Sequence, residues 1–167
     1  MIETIRLTLR RLDPLLDNFE NYLSWMTNLE SNLYIESVNK NTTALDLCNY
    51  VNSKNSSDNT LLLGIFLRSS NDHVGNIKFE PLGSGYEPTW MGILIGETDM
   101  RGQGIGFEAL GASIEFLRRI NGSRVFRLGV HKENFPAISL YQKFGFEKDI
   151  GCGSESEQTF TMTLVLP

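Results

Sequence analysis

The sequence contains few cysteines and histidines and no long apolar run. Two cysteines, Cys48 and Cys152, and two histidines occur among 167 residues, which are too few sulfur and imidazole groups to indicate a disulfide framework or a zinc site. No apolar stretch approaches the roughly 20 residues that span a bilayer, and residues 1–6 lack the apolar centre of a signal peptide. We therefore expect a soluble, cytoplasmic protein with two reduced thiols and no bound metal.

Basic residues are also in the minority. The chain carries 15 lysines and arginines against 20 aspartates and glutamates, a formal net charge of -5. Proteins that bind nucleic acids or anionic membranes present a basic surface, so we expect no nucleic-acid partner and no membrane partner. The acidic balance weakly favours a cationic ligand. With 41% hydrophobic and 21% charged residues and no repeat or linker, residues 1–167 are predicted to form one domain.

Hydrophobic periodicity predicts the order β-α-α-β-β-β-α-β-α-β-β. A run of antiparallel strands followed by a strand-helix-strand crossover indicates an α/β protein, with a mixed, mostly antiparallel sheet of about seven strands and helices on both faces. The predicted strands are residues 5–10, 61–67, 73–80, 89–96, 124–130, 147–150 and 159–166. The predicted helices are one that starts at Asp13-Pro14 with apolar positions Leu15, Phe19, Tyr22, Leu23, Met26, Leu29 and Leu33, then residues 43–51, a helix that Asn121-Gly122 ends, and residues 136–144.

Residues 93–110 combine a strand, a short loop with three alternate glycines, and the start of a helix. Glycines let a backbone approach a ligand closely, and the first N–H groups of a helix attract anions, so this turn predicts a phosphate site. A dinucleotide fingerprint is disfavoured because Phe107 stands at its third glycine position and no acid follows at the required distance. A nucleotide-hydrolysing P-loop is disfavoured because no lysine follows Gly106.

Two segments resemble motifs of the GNAT superfamily of acetyl-CoA-dependent N-acetyltransferases. Arg101, Gly104 and Gly106 match the pattern [RQ]-x-x-G-x-[GA], and residues 134–146 are similar to N-x-x-A-x-x-x-Y-x-K-x-G-F. The predicted element order is also similar, so the resemblance covers nearly the whole chain. Three further segments resemble the branch that acetylates the N-termini of ribosomal proteins: residues 25–28, 75–77 and 106–110.

The resemblance implies that acetyl-CoA is a co-substrate, that no metal takes part, and that an amine attacks the thioester directly in a ternary complex. Tyr141 would then protonate the departing thiolate, although a core tyrosine is the structural alternative. Asn134 would bond the cofactor or cap a helix, and Arg101 would add charge or be a solvated loop arginine. The implied cofactor-binding residues are Leu94, Ile95 and Gly96 along the pantetheine arm, Arg101, Gly102, Gln103, Gly104, Ile105 and Gly106 at the pyrophosphate, and Asn134.

The sequence supplies no obvious general base for the amine. Residues 89–93, where many relatives carry a carboxylate, contain none. Glu80, Glu87 and Glu97 are the acidic candidates. His73 and His131 have suitable ordinary pKa values but fall at strand ends, where exposed histidines are common. A water chain to solvent is the alternative.

The acceptor is a protein N-terminal amine or a small amine if the resemblance holds, and a nucleotide-linked amino sugar is the alternative substrate. By resemblance, the groove that binds the acceptor brings Trp25, Tyr34 and Glu36 near residues 151–157. Glu155 and Glu157 would face a cation there. A non-catalytic acyl-CoA sensor and an NAD-dependent oxidoreductase are the rival classes. A monomer and a homodimer are both compatible with the sequence.

Overall fold

A computed structural model describes residues 1–28, 34, 41–149 and 157–167 of the chain. Eight strands form one sheet in the order β1-β2-β3-β4-β5-β6-β8-β7, and every neighbouring pair is antiparallel except β5 and β6. The strands are β1 Ile2–Glu3, β2 Leu7–Arg10, β3 Leu61–Leu67, β4 His73–Phe79, β5 Pro88–Ile95, β6 Val125–His131, β7 Glu147–Lys148 and β8 Thr159–Val165. The helices are α1 Glu20–Thr27, α2 Ala44–Asn55, α3 Ile105–Asn121 and α4 Phe135–Phe144, with a 3-10 turn at Thr98–Met100.

The predicted mixed, mostly antiparallel sheet with helices on both faces is confirmed, and it has one strand more than expected. The additional strand is β1, which pairs with β2 at the start of the chain. The first predicted strand was placed two residues too early, because Thr4 donates its N–H to the carbonyl of Leu7 at 2.9 Å and closes a turn. Ile5 is 92% exposed in that turn, so its apolar character did not indicate a buried strand position.

The predicted start of the first helix at Asp13-Pro14 is wrong. The Asp13 carboxylate accepts the N–H of Leu15 at 2.9 Å, a local bond that competes with helix formation, and Leu15 is 93% exposed. Helix α1 begins instead at Glu20. Two apolar positions assigned to this helix, Leu29 and Leu33, lie outside the described residues.

The other helix ends follow their sequence signals. Thr43 and Asp46 form a reciprocal capping box at the start of α2, which continues four residues beyond the predicted end at residue 51. Its last turn is tied to the sheet by Lys54, whose Nζ lies 2.6 Å from Oε1 of Glu80. The predicted end of α3 is confirmed, since Gly122 adopts the left-handed conformation at φ 67°.

The helices divide the core into two parts. Helices α3 and α4 pack on one face of the sheet, the α3/α4 face, in a large core that includes Ile93 and Ile95 of β5. Helices α1 and α2 pack on the other, the α1/α2 face, where Leu94 contacts a smaller core containing Trp25. Alternate side chains of β5 therefore enter opposite cores. No helix in the described ranges is long and apolar enough to cross a membrane.

Candidate functional site

Strands β5 and β6 separate partway along their length. They pair in parallel over three positions, of which Trp90 and Arg127 are the last. Both strands continue beyond this pair, β5 to Ile95 and β6 to His131. Among the described residues, the second half of β5 is therefore paired on one side by β4 and unpaired on the other, and the two strands form the walls of a cleft.

The alternation of hydrogen bonds shows which backbone groups of β5 face this cleft. Gly96 donates its N–H to the carbonyl of Val74 in β4 at 2.9 Å. Successive residues of an antiparallel strand direct their backbone groups to opposite sides, so Leu94 also faces β4, while Ile93 and Ile95 face the cleft. Of the three strand residues predicted to contact a cofactor, Ile95 presents its backbone to the opening, and Ile93 is a further candidate that sequence reasoning missed.

The glycine turn follows directly and opens the start of α3. Gly102 and Gly104 have φ angles of 72° and 80°, a left-handed conformation that glycine adopts without strain. Gly104 is the N-cap and provides no side-chain cap; the first helical bond is donated by the N–H of Glu108. Gly106 lies in the first turn of α3, where a Cβ would lie 3.4 Å from Cδ2 of Leu140, and its contact with a cofactor stays a prediction. The N–H groups that precede Glu108, those of residues 105–107, therefore point toward the turn without an intrahelical acceptor.

Arg6 brings a positive charge to the same turn. Its Nη1 donates to the carbonyl of Gln103 at 2.9 Å, and its Nε donates to Oε2 of Glu108 at 2.7 Å. Although burial opposes ionisation, hydrogen bonds from Thr4 and Arg6 lower the pKa of Glu108. Sequence reasoning missed Arg6 because it lies 102 residues before its partner carboxylate, so no local spacing signals the contact.

The predicted Arg101 lies at the other end of the turn and folds back onto β5. Its Nε donates to the carbonyl of Ile95 at 2.8 Å, and its Nη2 lies 3.4 Å from the carbonyl oxygen of Gly96. The side-chain amide of Gln103 bonds the carbonyl of Asp99. The predicted residues from 94 to 106 are thus brought together at the end of the cleft, with two arginines beside them.

Tyr141 and Asn134 lie on α4, over the α3/α4 face. Tyr141 is 6% exposed, with its ring centroid 5.7 Å from that of Phe146, and burial raises its pKa to about 12. Burial, without a contribution from a hydrogen bond, accounts for this raised pKa. The side chain of Asn134 accepts the N–H of Ala137 at 3.3 Å, which establishes the cap; contact with a cofactor stays a prediction.

Two of the three acidic candidates for a base are poorly placed. Glu80 forms ion pairs with Lys54 at 2.6 Å and Lys78 at 3.0 Å. Although burial opposes it, the hydrogen bonds from these lysines and Thr60 lower the pKa of Glu80 to about 2, so this carboxylate is a weak base. Glu87 is exposed before the first residue of β5, about 25 Å along the strand from the turn at roughly 3.3 Å per residue.

Glu97 is the acid at the end of the cleft. Its Oε1 accepts a hydrogen bond from Nε1 of Trp25 at 3.1 Å, so it is half-buried and partnered, unlike a solvated loop acid. The Trp25 ring covers Gly96 so closely that a Cβ there would overlap it. A cavity of about 180 Å³ adjoins the pair; it is lined by Asn21, Ser24, Trp25, Asn28, Gly96, Glu97 and Thr98.

His73 is buried, contrary to the expectation of an exposed strand end. It is 8% exposed, and its Nε2 contacts the carbonyl of Gly75 at 3.0 Å and Oδ1 of Asn76 at 2.9 Å. Because both partners are acceptors, Nε2 carries the proton. Burial lowers the pKa of His73, and its Nδ1 has no partner among the described residues. The ring is therefore a neutral part of the smaller core.

His131 stands at the cleft end of β6. Its Nδ1 accepts the N–H of Glu133 at 3.2 Å, which leaves Nε2 as the donor of a neutral ring. Its ring centroid lies 4.8 Å from that of Tyr34, which is 38% exposed. Nδ1, the nitrogen that would act as a base, is thus already bonded to the backbone N–H of Glu133.

The predicted acceptor groove is described only in part. Trp25 is a core residue at 5% exposure, and Glu157 contributes its carbonyl to Nζ of Lys132 at 2.9 Å. Glu36, Glu155 and Cys152 lie outside the described residues. No group of three or more potential metal ligands occurs in the part of the chain that the structure describes.

An open strand edge that runs into an uncapped helix start suits an extended ligand with phosphates at one end. Comparison of the sequence with known protein families identifies the family of this chain. Residues 6–147 match the acetyltransferase (GNAT) domain family, and the chain belongs to it. No curated protein sequence matches the chain significantly.

Solved structures show the same fold. A GNAT-family acetyltransferase from Bacillus anthracis is 19% identical with a TM-score of 0.79, and the match covers 98% of this chain and 97% of that one. Spermidine N-acetyltransferase from Vibrio cholerae, in complex with CoA and spermine, is 16% identical with a TM-score of 0.79 and 95% coverage of both chains. RimL, a ribosomal L7/L12 α-N-protein acetyltransferase in complex with CoA, is 15% identical with a TM-score of 0.78, covering 98% and 96%.

Proposed function

We propose that the protein transfers the acetyl group of acetyl-CoA to a primary amine by direct attack in a ternary complex. The observation that carries the proposal is the open edge of β5 leading into the uncapped start of α3. Family membership supports it, as do the similar structures named as acetyltransferases that contain CoA. Their stated substrates, spermidine and a ribosomal protein, make a small amine and a protein N-terminus the two acceptor classes to test first.

The residues at the cleft suit the parts of CoA. The cleft-facing backbone groups of Ile93 and the N–H of Ile95 would bond the pantetheine arm as an added strand does, whereas the carbonyl of Ile95 already accepts a hydrogen bond from Arg101. The N–H groups at Gly104 and the first turn of α3 would hold the pyrophosphate, since a helix start carries a partial positive charge. The glycine turn leaves room for a phosphate, because a Cβ at Gly102 would meet nothing within 4 Å. Arg6 would lie beside the phosphates, with part of its charge offset by the paired carboxylate of Glu108.

Acetyl-CoA supplies an activated acetyl thioester. The amine nitrogen forms a bond to the acetyl carbon, the carbon–sulfur bond breaks, and the sulfur takes a proton from Tyr141. The nitrogen releases its surplus proton to solvent and the tyrosine regains one, so an amide and free CoA result. Positioning supplies much of the rate, since well-oriented reactants gain on the order of 7–11 kcal/mol over a bimolecular encounter.

The raised pKa of Tyr141 keeps its proton available but makes donation uphill. A phenol at about 12 facing a thiol at about 8.5 leaves a gap of about 3.5 pH units, roughly 5 kcal/mol in water. The surroundings that bury the tyrosine also disfavour a thiolate, and this raises the thiol pKa and narrows the gap. Tyr141 is therefore suited to act late, as the charge on sulfur develops.

The amine must be neutral when it attacks. An amine of pKa about 8 is roughly one tenth neutral at pH 7, whereas a lysine-like amine is neutral in roughly one molecule of 2,500. Glu80 is a weak base, and Glu87 and Glu97 each lie five residues along the chain from Gly92, so we propose that water accepts the proton. Weakly basic primary amines are then the favoured acceptors.

Incubation with acetyl-CoA and a panel of amines tests the function. The panel contains spermidine, a nucleotide-linked amino sugar and a peptide with an N-terminal serine, and acetylated products are measured by mass spectrometry alongside thiol release. We expect one class to be acetylated well above the background of thioester hydrolysis. Binding of CoA without transfer to any amine would favour the sensor, and stabilisation by a nicotinamide dinucleotide but not by CoA would favour the oxidoreductase.

A further inference from the structure

Two glycines occupy corresponding positions on β5 and β6, just beyond the point where the pairing of the strands ends. Gly92 and Gly129 are each two residues beyond the last paired residues, Trp90 and Arg127. Both are exposed in the middle of their strands. A Cβ at either position would meet nothing within 4 Å, and neither has a left-handed φ angle. The backbone therefore does not require glycine here, and glycine inside a strand often marks close approach of a ligand.

Both glycines open on the α1/α2 face. On β5, Gly92 shares its side with Leu94, which contacts the smaller core. On β6, Leu128 and Val130 point into the larger core of the α3/α4 face, so Gly129 between them points the other way. We call this pair the glycine gap.

Tyr141 belongs to the opposite side. It is part of the larger core with Ile105 and Phe146, on the α3/α4 face. A thioester lying between β5 and β6 would have the phenol of Tyr141 on one side and the glycine gap on the other. A nucleophile approaches a carbonyl carbon from above or below its plane, and on the α3/α4 face such an approach would meet the packed core that includes Tyr141.

We infer that the missing side chains of Gly92 and Gly129 determine how bulky an acceptor amine can reach the thioester from the α1/α2 face. This role depends on the proposed acetyl transfer. Larger side chains at the two positions would close the entry while leaving the glycine turn and the tyrosine intact.

A bisubstrate probe tests this role whatever the identity of the acceptor. The probe is CoA whose sulfur carries –CH2–CO–NH–butyl, so that the butyl chain occupies the acceptor path. We expect wild-type protein to bind this probe at least about tenfold more tightly than CoA. In Gly92→Val and Gly129→Val we expect that advantage to fall below about twofold, with the Kd of CoA unchanged and Tm equal or higher, because valine favours strands.

Thr8→Val on β2 is the matched control, a strand substitution remote from the cleft that should keep the full advantage. Gly92→Ala and Gly129→Ala provide milder variants with an intermediate loss. Equal wild-type affinity for probe and CoA, or an undiminished advantage in both valine variants, would overturn this role. Weakened CoA binding in the valine variants would assign the gap to the cofactor instead. Failure of wild-type protein to bind CoA is a separate result that contradicts the proposed function itself.

Discussion

The two edges of β5 differ although they belong to one strand. Along β4 the pairing runs from Met91 opposite Phe79 to Ile95 opposite Gly75. Along β6 it stops at Trp90. Continuous pairing satisfies backbone groups within the fold, whereas an unpaired edge can bind another extended chain. The comparison separates residues that hold the sheet from those available to a ligand, and substitutions on each side should have different consequences.

The largest effect should come from removing the proposed proton donor, Tyr141. Tyr141→Phe keeps the ring contact with Phe146 and removes the hydroxyl, so the thiolate must leave without a positioned acid. We expect kcat to fall by about 100-fold or more, with the Kd of CoA within about twofold of wild type. Steady-state kinetics on the best amine from the panel and calorimetry with CoA provide the two measurements.

Tyr22→Phe is the control for this variant. Tyr22 is also buried, at 5% exposure, and burial raises its pKa, but it lies in the smaller core on the opposite face. It should retain wild-type kcat. Because the pKa of Tyr141 is about 12, the acid stays protonated up to about pH 11, so kcat should show no decline from its ionisation below that pH. An unchanged kcat in Tyr141→Phe would remove it from the mechanism.

Gly104→Ala should weaken the binding of CoA by about tenfold. Left-handed backbone costs a residue with a side chain roughly 1–2 kcal/mol, and relief of that strain would turn the first N–H groups of α3 away from the phosphates. Gly122→Ala is a matched control, because Gly122 has a similar φ of 67° at the other end of the same helix. Both variants should lose similar thermal stability, and Gly104→Ala alone should lose CoA affinity. Equal CoA affinities would show that the turn does not bind the phosphates.

Arg6→Gln should weaken CoA binding by about threefold to tenfold, because one exposed charge contact is lost and Glu108 loses its charged partner. The difference from wild type should shrink as salt is raised, since exposed charges are screened. Arg118→Gln on α3 provides the comparison; this arginine also pairs with a glutamate, Glu115, at 2.8 Å. Its CoA affinity should be unchanged. A salt-independent loss in Arg6→Gln would indicate a structural role instead.

Local signals predicted much of the fold and of the turn. The end of α3 at Gly122 and the cap at Asn134 were readable because each depends on a few neighbouring residues. The glycine turn was readable for the same reason. The wrong start of the first helix is also local in origin, because the side chain of Asp13 bonds the backbone of Leu15 and competes with the apolar pattern.

Contacts between distant segments could not be predicted. Arg6 reaches the turn only because β1 and β2 fold beside the start of α3, and Trp25 reaches Glu97 from 72 residues away. The point at which β5 and β6 stop pairing is likewise a property of the sheet, so the cleft-facing role of Ile93 had no sequence signal. His73 was misjudged because a position at a strand end does not reveal the helix that covers it.

The smallest effect on activity should come from the paired edge of β5. Glu80 donates its N–H to the carbonyl of Trp90 at 2.8 Å, and its carboxylate pairs with Lys54 and Lys78. Its pKa is lowered to about 2 from a usual 4.5. A depressed acid pKa stabilises the fold above the unfolded value, and the stabilisation disappears as pH falls from about 4.5 to 2.

Glu80→Gln should therefore lower the free energy of unfolding by about 1 kcal/mol at pH 7, and the difference from wild type should vanish near pH 2. Denaturant unfolding over this pH range measures it. Turnover at pH 7 should stay within about twofold of wild type, because the carboxylate serves the side of β5 that faces away from the cleft. A tenfold loss of kcat with unchanged stability would return Glu80 to the candidates for the general base and would contradict the division between the two edges.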